Sequence, residues 1–253
     1  MARSFRVVTS CSPAGWELYG LRMAETFCTY WPSTVPLSLY AEGFAPPPWI
    51  NADVRSLPAW QEAFKERHHG TRAAHGMAGG RGYNFKFDAV KFSHKVGAVV
   101  DVVERADCDV LIWIDGDTVF HSEVTPEFIE GLMPEDCALA WLDRVGNYPE
   151  CGFYCLNLRH HALKSLILRW KALYTSDQIF DLSEWHDCYS LQQCVEAAGV
   201  PVHSLSGEAR NTSHVAINSQ IGSILDHTKG GRKTEGRSRA SDLKVQRKEA
   251  YWA

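Results

Sequence analysis

The run Val110-Leu111-Ile112-Trp113-Ile114, closed by Asp115-Gly116-Asp117, decides how the rest of the chain is read. Five consecutive apolar residues without polar alternation suit a strand buried on both faces, as the inner strands of a parallel sheet are. In an open α/β sheet, ligands bind beyond the carboxyl ends of the strands, which is where these two carboxylates fall. Two carboxylates either side of a glycine can point at one cation. Hard oxygen ligands suit Mg²⁺ or Mn²⁺, ions that usually also hold substrate phosphates. Taken alone, the tripeptide is equally a polar turn. The wholly apolar strand before it favours the cation, because the two acids would otherwise only repel each other.

Outward from this strand, helical and extended patterns alternate. Phe5–Ser10 reads as a buried first strand, and Trp16, Tyr19, Met23, Phe27 and Tyr30 recur at helical spacing. Pro36–Ala41 is a second strand, followed by a short helix over about 58–67. His68–Gly82, with five glycines and no apolar period, reads as a lid or a plain loop; its His68, His69 and His75 have no framework to pre-form a metal site. From Phe85 a helix returns, with Phe92, Val96, Val99 and Val103 on one stripe and Asp88, Lys91 and Lys95 on another. Beyond the central motif come a helix at about 125–133, strands at 138–142 and 153–158, and helices at 161–174 and 187–198. The pattern predicts an α/β fold, a mainly parallel sheet with helices on both faces, in one domain over residues 1–233.

The 253 residues are 45% apolar and 22% charged, which excludes a disordered, fibrous or repeat protein. The net charge of −4 is split: residues 229–248 carry +6 and the remainder −10. An acidic body argues against a nucleic-acid partner. Residues 234–253 lack an apolar period and are expected to be a basic, solvated and partly disordered tail, with an anionic membrane surface or a polyanionic acceptor as its alternative partner. The amino terminus passes directly into a strand, and the longest nearly apolar stretch, around Val96–Val103, is broken by Asp101. Eight scattered cysteines without a CxxC pair then read as small buried hydrophobes in a reducing cytoplasm. Cys151, Cys155, Cys188 and Cys194 have the wrong spacing for a zinc ribbon.

A second cluster lies at His227-Thr-Lys-Gly230-Gly-Arg-Lys233. Its glycines, Gly230 foremost, let backbone approach a phosphate, and Lys233 supplies a point charge. Alone, His227 would be an ordinary surface histidine. Beside Asp115 and Asp117 it becomes a third metal ligand, and imidazole suits Mn²⁺ better than Mg²⁺.

A strand ending in DxD, about 110 residues of α/β structure and then HxxGxxK together resemble the metal-dependent GT-A glycosyltransferases. Within them the chain is most similar to the glycogenin and lipopolysaccharide galactosyltransferase group, from Phe5 through Lys233. The resemblance implies that Asp115 reaches the nucleotide ribose and the metal, that Asp117 and His227 complete the metal site, and that Lys233 contacts the diphosphate. It places Thr9, Ser10 and Cys11 beside the nucleotide base and ribose. It implies a nucleotide-sugar donor, a UDP-sugar by family habit, a hydroxyl acceptor on a glycan, lipid-linked carrier or protein, and retention at the anomeric carbon.

The chain departs from that pattern in three places. Cys151 stands where the segment Glu150–Asn157 would carry a small polar residue. Cys188 replaces the glutamine expected after Asp187, and Thr234-Glu235 replaces a Pro-Trp. Asp187 is the candidate carboxylate near the reacting sugar, or else a helix N-cap. Lys91 would add charge from the opposite side of the diphosphate, whereas Lys95 reads slightly better as a solvated helix position. Trp185 and Trp141 are candidates for sugar stacking, although most of the nine tryptophans should be core.

Two other readings use the same residues. A haloacid-dehalogenase-type phosphatase would make Asp115 the nucleophile and Asp117 the acid/base, but its DxDxT motif should open the fold and place the threonine one position later. A degenerate transferase fold serving as a carbohydrate-binding or scaffold module would require metal ligands to be lost, and all three are present.

Overall fold

The computed structural model describes residues 3–77 and 82–253. Its main sheet has seven strands, among them β1 (Phe5–Cys11), β2 (Leu37–Ala41), β3 (Asp53–Arg55) and β4 (Val110–Ile114). With β6 (Leu139–Arg144), β7 (Asn147–Asn157) and β8 (Val202–Ser204), the order is β3-β2-β1-β4-β7-β6-β8. All five side chains of β4 are buried, as its unbroken apolar run requires. At roughly 1.5–3 kcal/mol for each large apolar side chain, this strand anchors the core.

Strand β7 alone runs against its neighbours, pairing antiparallel with both β4 and β6. The cause is local. β6 and β7 are joined by a tight turn through Val145-Gly146, where Gly146 has φ +68°. So short a link cannot carry the crossover that parallel strands need. The remaining pairings in this sheet are parallel, so the carboxyl ends of β1, β2 and β4 lie on one side.

Helices cover both faces. They include α1 (Pro13–Gly15), α2 (Leu21–Tyr30), α3 (Ala59–His68), α4 (Ala89–Arg105), α5 (Pro126–Gly131), α6 (Leu163–Thr175) and α7 (Asp187–Ala198). Before α2 the chain makes a π-helical turn over Trp16–Gly20. Two buried apolar clusters result. One holds Val7, Phe27, Ile112 and Ile114, the other Val8, Leu111, Trp113 and Trp170, so alternate residues of β1 and β4 feed opposite layers. Among the described residues no helix is long and apolar enough to cross a membrane.

A second sheet of two strands, β5 (Thr118–Phe120) and β9 (Leu225–His227), has a larger consequence for the site. It pairs Thr118 with His227, and Thr228 donates from both its backbone N–H and its hydroxyl to the Asp117 carbonyl. This ladder carries the distant HxxGxxK segment to the turn after β4.

Two segments read as loop and tail hold local structure among the described residues. Within His68–Gly82, His68 ends a helix, α3 (Ala59–His68), and Arg72–His75 form a 3₁₀ turn. His68 pairs with Asp177, and His75 meets the His68 carbonyl. Residues 78–81 of that segment lie outside the described residues. The basic segment after Lys233 is laid back on the body rather than standing off it. The reason is Asp226, fully buried, whose carboxylate accepts hydrogen bonds from the Ser238 N–H and hydroxyl and from the Tyr251 hydroxyl. Arg232 pairs with Asp242, Arg247 donates to the Ile217 carbonyl, and Tyr251 stacks on His121 at 4.4 Å. Much of the basic charge there is spent within the chain.

Candidate active site

A cleft of about 1250 Å³ opens at the carboxyl ends of β1 and β4. The Asp115-Gly116-Asp117 turn forms its floor, and its side is built by β7, the start of α7 and the segment after β9. Oxygen and nitrogen atoms of Asp115, Asp117 and His227 lie within 4.8 Å of one another. His227 Nε2 is 3.2 Å from Asp117 and 3.9 Å from Asp115. The three residues singled out for a cation therefore converge on one point.

Glu150, on β7, controls the imidazole from behind. Its Oε1 is 2.8 Å from His227 Nδ1, and its Oε2 accepts from Lys229 at 2.6 Å. Burial alone would push the imidazole down; Asp117 and Glu150 overcome it and hold His227 up at about 10. Burial likewise opposes ionisation of Glu150 and Asp117, but Lys229 and His227 hold the first, and His227 and Lys233 the second, well below the usual carboxylate range. The ring fits against β7 only because residue 152 is glycine. A Cβ there would stand 2.3 Å from His227 Cε1.

Two lysines occupy the centre of this acidic group. Lys233 Nζ lies 2.9 Å from Asp117 and over the Tyr19 ring at 4.9 Å. Gly230, with φ +65°, makes the bend that lets the chain turn from His227 toward Lys233. Lys95 is not a solvated helix position: it is buried, and its Nζ bridges Asp115 at 2.7 Å and Asp187 at 2.5 Å. Its third hydrogen bond goes to the Cys151 carbonyl, and the ammonium sits over the Trp113 ring. Burial opposes the charge on Lys95, but Asp115 and Asp187 raise its pKa well above the ordinary value.

Asp187 opens α7 but does not cap it. The cap is His186, whose ring accepts from the Tyr189 N–H, which leaves Asp187 free to turn inward to Lys95. Burial would raise the Asp187 carboxyl; Lys95 lowers it instead, so it is an anion. Of the first-strand residues, Ser10 and Cys11 line the cleft. Thr9 is buried deeper in the strand and is not among the lining residues. Lys91 is exposed at the cleft's edge. Trp185 packs on Phe87 and Phe180, and neither it nor Trp141 lines the cleft. Sequence reasoning did not single out Glu150, Trp113 or Tyr19. Trp113 donates its indole N–H to Asp115 at 2.7 Å, and nothing in its apolar surroundings signals that role.

The donor set suits a divalent cation. It comprises two hard carboxylates and one borderline imidazole, with a carboxylate on the imidazole's far nitrogen, the usual support of a metal-bound histidine. Ammonium groups of Lys95 and Lys233 already stand against those carboxylates, which shows that the pocket favours positive charge.

No protein-family model matches the chain, and no curated protein matches it in sequence. Solved structures do. The apo structure of the bifunctional glycosyltransferase WbbM is similar over 91% of this chain and 46% of its own, at 12% identity and a TM-score of 0.52. The glycosyltransferase GlyE of Streptococcus pneumoniae TIGR4 matches over 82% and 46%, at 12% identity and 0.49. The galactosyltransferase LgtC, in complex with donor and acceptor sugar analogs, matches over 80% and 73%, at 13% identity and 0.48. The chain spans less than half the length of the WbbM and GlyE structures it matches. At such identities the likeness is one of fold, and the WbbM comparison carries it. The chain has a GT-A, Rossmann-like fold.

Proposed function

We propose that this chain is a glycosyltransferase that moves a sugar from a nucleoside-diphosphate donor, a UDP-sugar by the sequence resemblance, to a hydroxyl acceptor. The observation that carries the proposal is the convergence of Asp115, Asp117 and His227 with Lys233 in one cleft at the carboxyl ends of a GT-A sheet. Asp115, Asp117 and His227 would hold a divalent cation, Mn²⁺ or Mg²⁺. When bound, that ion supplies Lewis-acid stabilisation to the departing diphosphate. Lys233 adds fixed positive charge to the same leaving group, and Lys91 adds it from the cleft's edge. Ser10 and Cys11 lie where the nucleoside would rest.

Breaking the anomeric bond develops positive charge on the sugar, as in glycoside hydrolysis. Asp187, kept anionic by Lys95, is suited to stabilising that charge and poorly suited to taking a proton from the acceptor. Retention follows from the resemblance alone.

Thermal melting with Mn²⁺ and a panel of nucleoside diphosphates tests the binding half. UDP with Mn²⁺ should raise the melting temperature, the rise should vanish in Asp117→Ala and it should shrink in His227→Ala. If no nucleoside diphosphate stabilises the protein in the presence of metal, the proposal fails. Release of nucleoside diphosphate from a panel of nucleotide sugars then tests transfer.

A further inference from the structure

The two cysteines that break the family pattern, Cys151 on β7 and Cys188 on α7, meet in the wall of the cleft. Their sulfurs and a carboxylate oxygen of Asp187 all lie within 4.8 Å of one another. Cys151 is buried, whereas Cys188 is half-buried, and both belong to the cleft lining. The Cys188 Sγ is 3.6 Å from Asp187 Oδ1, and Lys95 stands on the other oxygen of that carboxylate at 2.5 Å. A soft metal is a poor occupant of this cluster, because the Lys95 ammonium already fills the cation position beside it.

We propose that Cys188 and Cys151 are an oxidisable dithiol, in which Cys188 attacks a hydroperoxide and Cys151 converts the product to a disulfide. The Cys188 thiolate takes one oxygen, breaking the O–O bond and releasing hydroxide, or an alkoxide from an organic peroxide, to leave a sulfenic acid. The Cys151 thiol then displaces that oxygen as water and forms the S–S bond. Two thiols and one hydrogen peroxide thus give one disulfide and two waters.

The surroundings assign the two roles. Cys188 is the half-buried member of the pair and so the one a hydroperoxide reaches first, and the neighbouring Cys151 sulfur, with His186 and Lys95, holds it below its ordinary value against burial and Asp187. Cys151 is pushed the other way by burial, as suits a resolving thiol that stays protonated until needed. Cys11, Cys108 and Cys194 are each pushed up by burial to about 12 and are inert by comparison. The disulfide joins β7 to the first turn of α7 and so draws on the residues beside Asp187 and Lys95. Its effect on nucleotide binding rests on the proposed function; its formation does not.

The test uses the full chain, treated with a slight excess of hydrogen peroxide, alkylated and mapped by peptide mass spectrometry. The expected result is one cross-linked peptide pair containing Cys151 and Cys188, lost on dithiothreitol treatment. Cys151→Ser should instead trap a sulfenic acid at Cys188 that reacts with dimedone, and Cys188→Ser should give neither product. The proposal is overturned if both thiols stay alkylatable while the exposed Cys28 oxidises, or if the sulfenic acid is trapped at Cys151. In the reduced protein UDP with Mn²⁺ should raise the melting temperature, and peroxide should abolish that rise until thiol is restored. A reduced protein that ignores UDP yet still forms the cross-link defeats the glycosyltransferase reading and leaves the dithiol standing.

Discussion

Glu150 reaches His227 across two sheets, its Oε1 2.8 Å from the imidazole Nδ1, and so decides which ring nitrogen faces Asp115 and Asp117. A carboxylate in this position fixes the tautomer and orientation of a ligating histidine, and losing it typically costs 10- to 100-fold in metal affinity. Glu150→Gln should therefore weaken Mn²⁺ binding by about that factor, measured by titration calorimetry, while the fold stays intact by circular dichroism. Unchanged affinity would mean that His227 is oriented by β9 alone.

Gly152→Ala tests the same contact from the backbone side. The new Cβ would fall 2.3 Å from the His227 ring, so either the strand or the imidazole must move. Overpacking of this kind costs about 1–3 kcal/mol. The melting temperature should fall, and the stabilisation by Mn²⁺ with UDP should fall further than Gly146→Ala at the exposed β6–β7 turn produces. Equal losses of the metal-dependent part would remove the proposed steric link.

Lys95 bridges Asp115 and Asp187 from a buried position, so Lys95→Met leaves two carboxylates facing each other. Removing one partner of a buried ion pair costs about 3–5 kcal/mol. Urea unfolding should show a loss of that order, and the double variant Lys95→Met/Asp187→Leu should recover part of it. A loss below about 1 kcal/mol would mark the bridge as effectively solvated, as surface pairs are.

The carboxyl-terminal segment should respond to acid through Asp242. Arg232 holds the Asp242 carboxyl down at about 2 from an ordinary 3.8, against a smaller opposing effect of burial. A depressed carboxylate stabilises the folded state above its unfolded pKa and loses that contribution as pH falls through its folded one. The melting-temperature gap between the native chain and Asp242→Asn should thus be full above pH 4 and close toward pH 2. A gap independent of pH over that window would show that the pairing contributes nothing to stability.

Parts of the fold and site were legible because local chemistry forces them. A wholly apolar pentapeptide ending in two acids can be little other than a central strand with a site at its carboxyl end, and β4 is that strand. Asp187–Ala198 is helical in the chain as its pattern predicts. The reading of Lys95 failed for the opposite reason. Its place on a polar helix stripe is compatible with solvent, and only the approach of Asp115 from β4 and Asp187 from α7 turns that stripe inward.

By itself the sequence determined the α/β class, the central strand and the residue types for a cation–diphosphate site, because hydrophobic period and turn chemistry are local properties. Tertiary structure decided the rest. The β5–β9 pairing set His227 against Asp117, the tight β6–β7 turn reversed β7 and aimed Glu150 at the imidazole, and the same reversal brought Cys151 to Cys188. It also decided the basic segment, which the buried Asp226 carboxylate helps to tie down through donors 12 and 25 residues away. These are charge and hydrogen-bond requirements between distant residues. They exist only once burial has removed the water that would otherwise meet them.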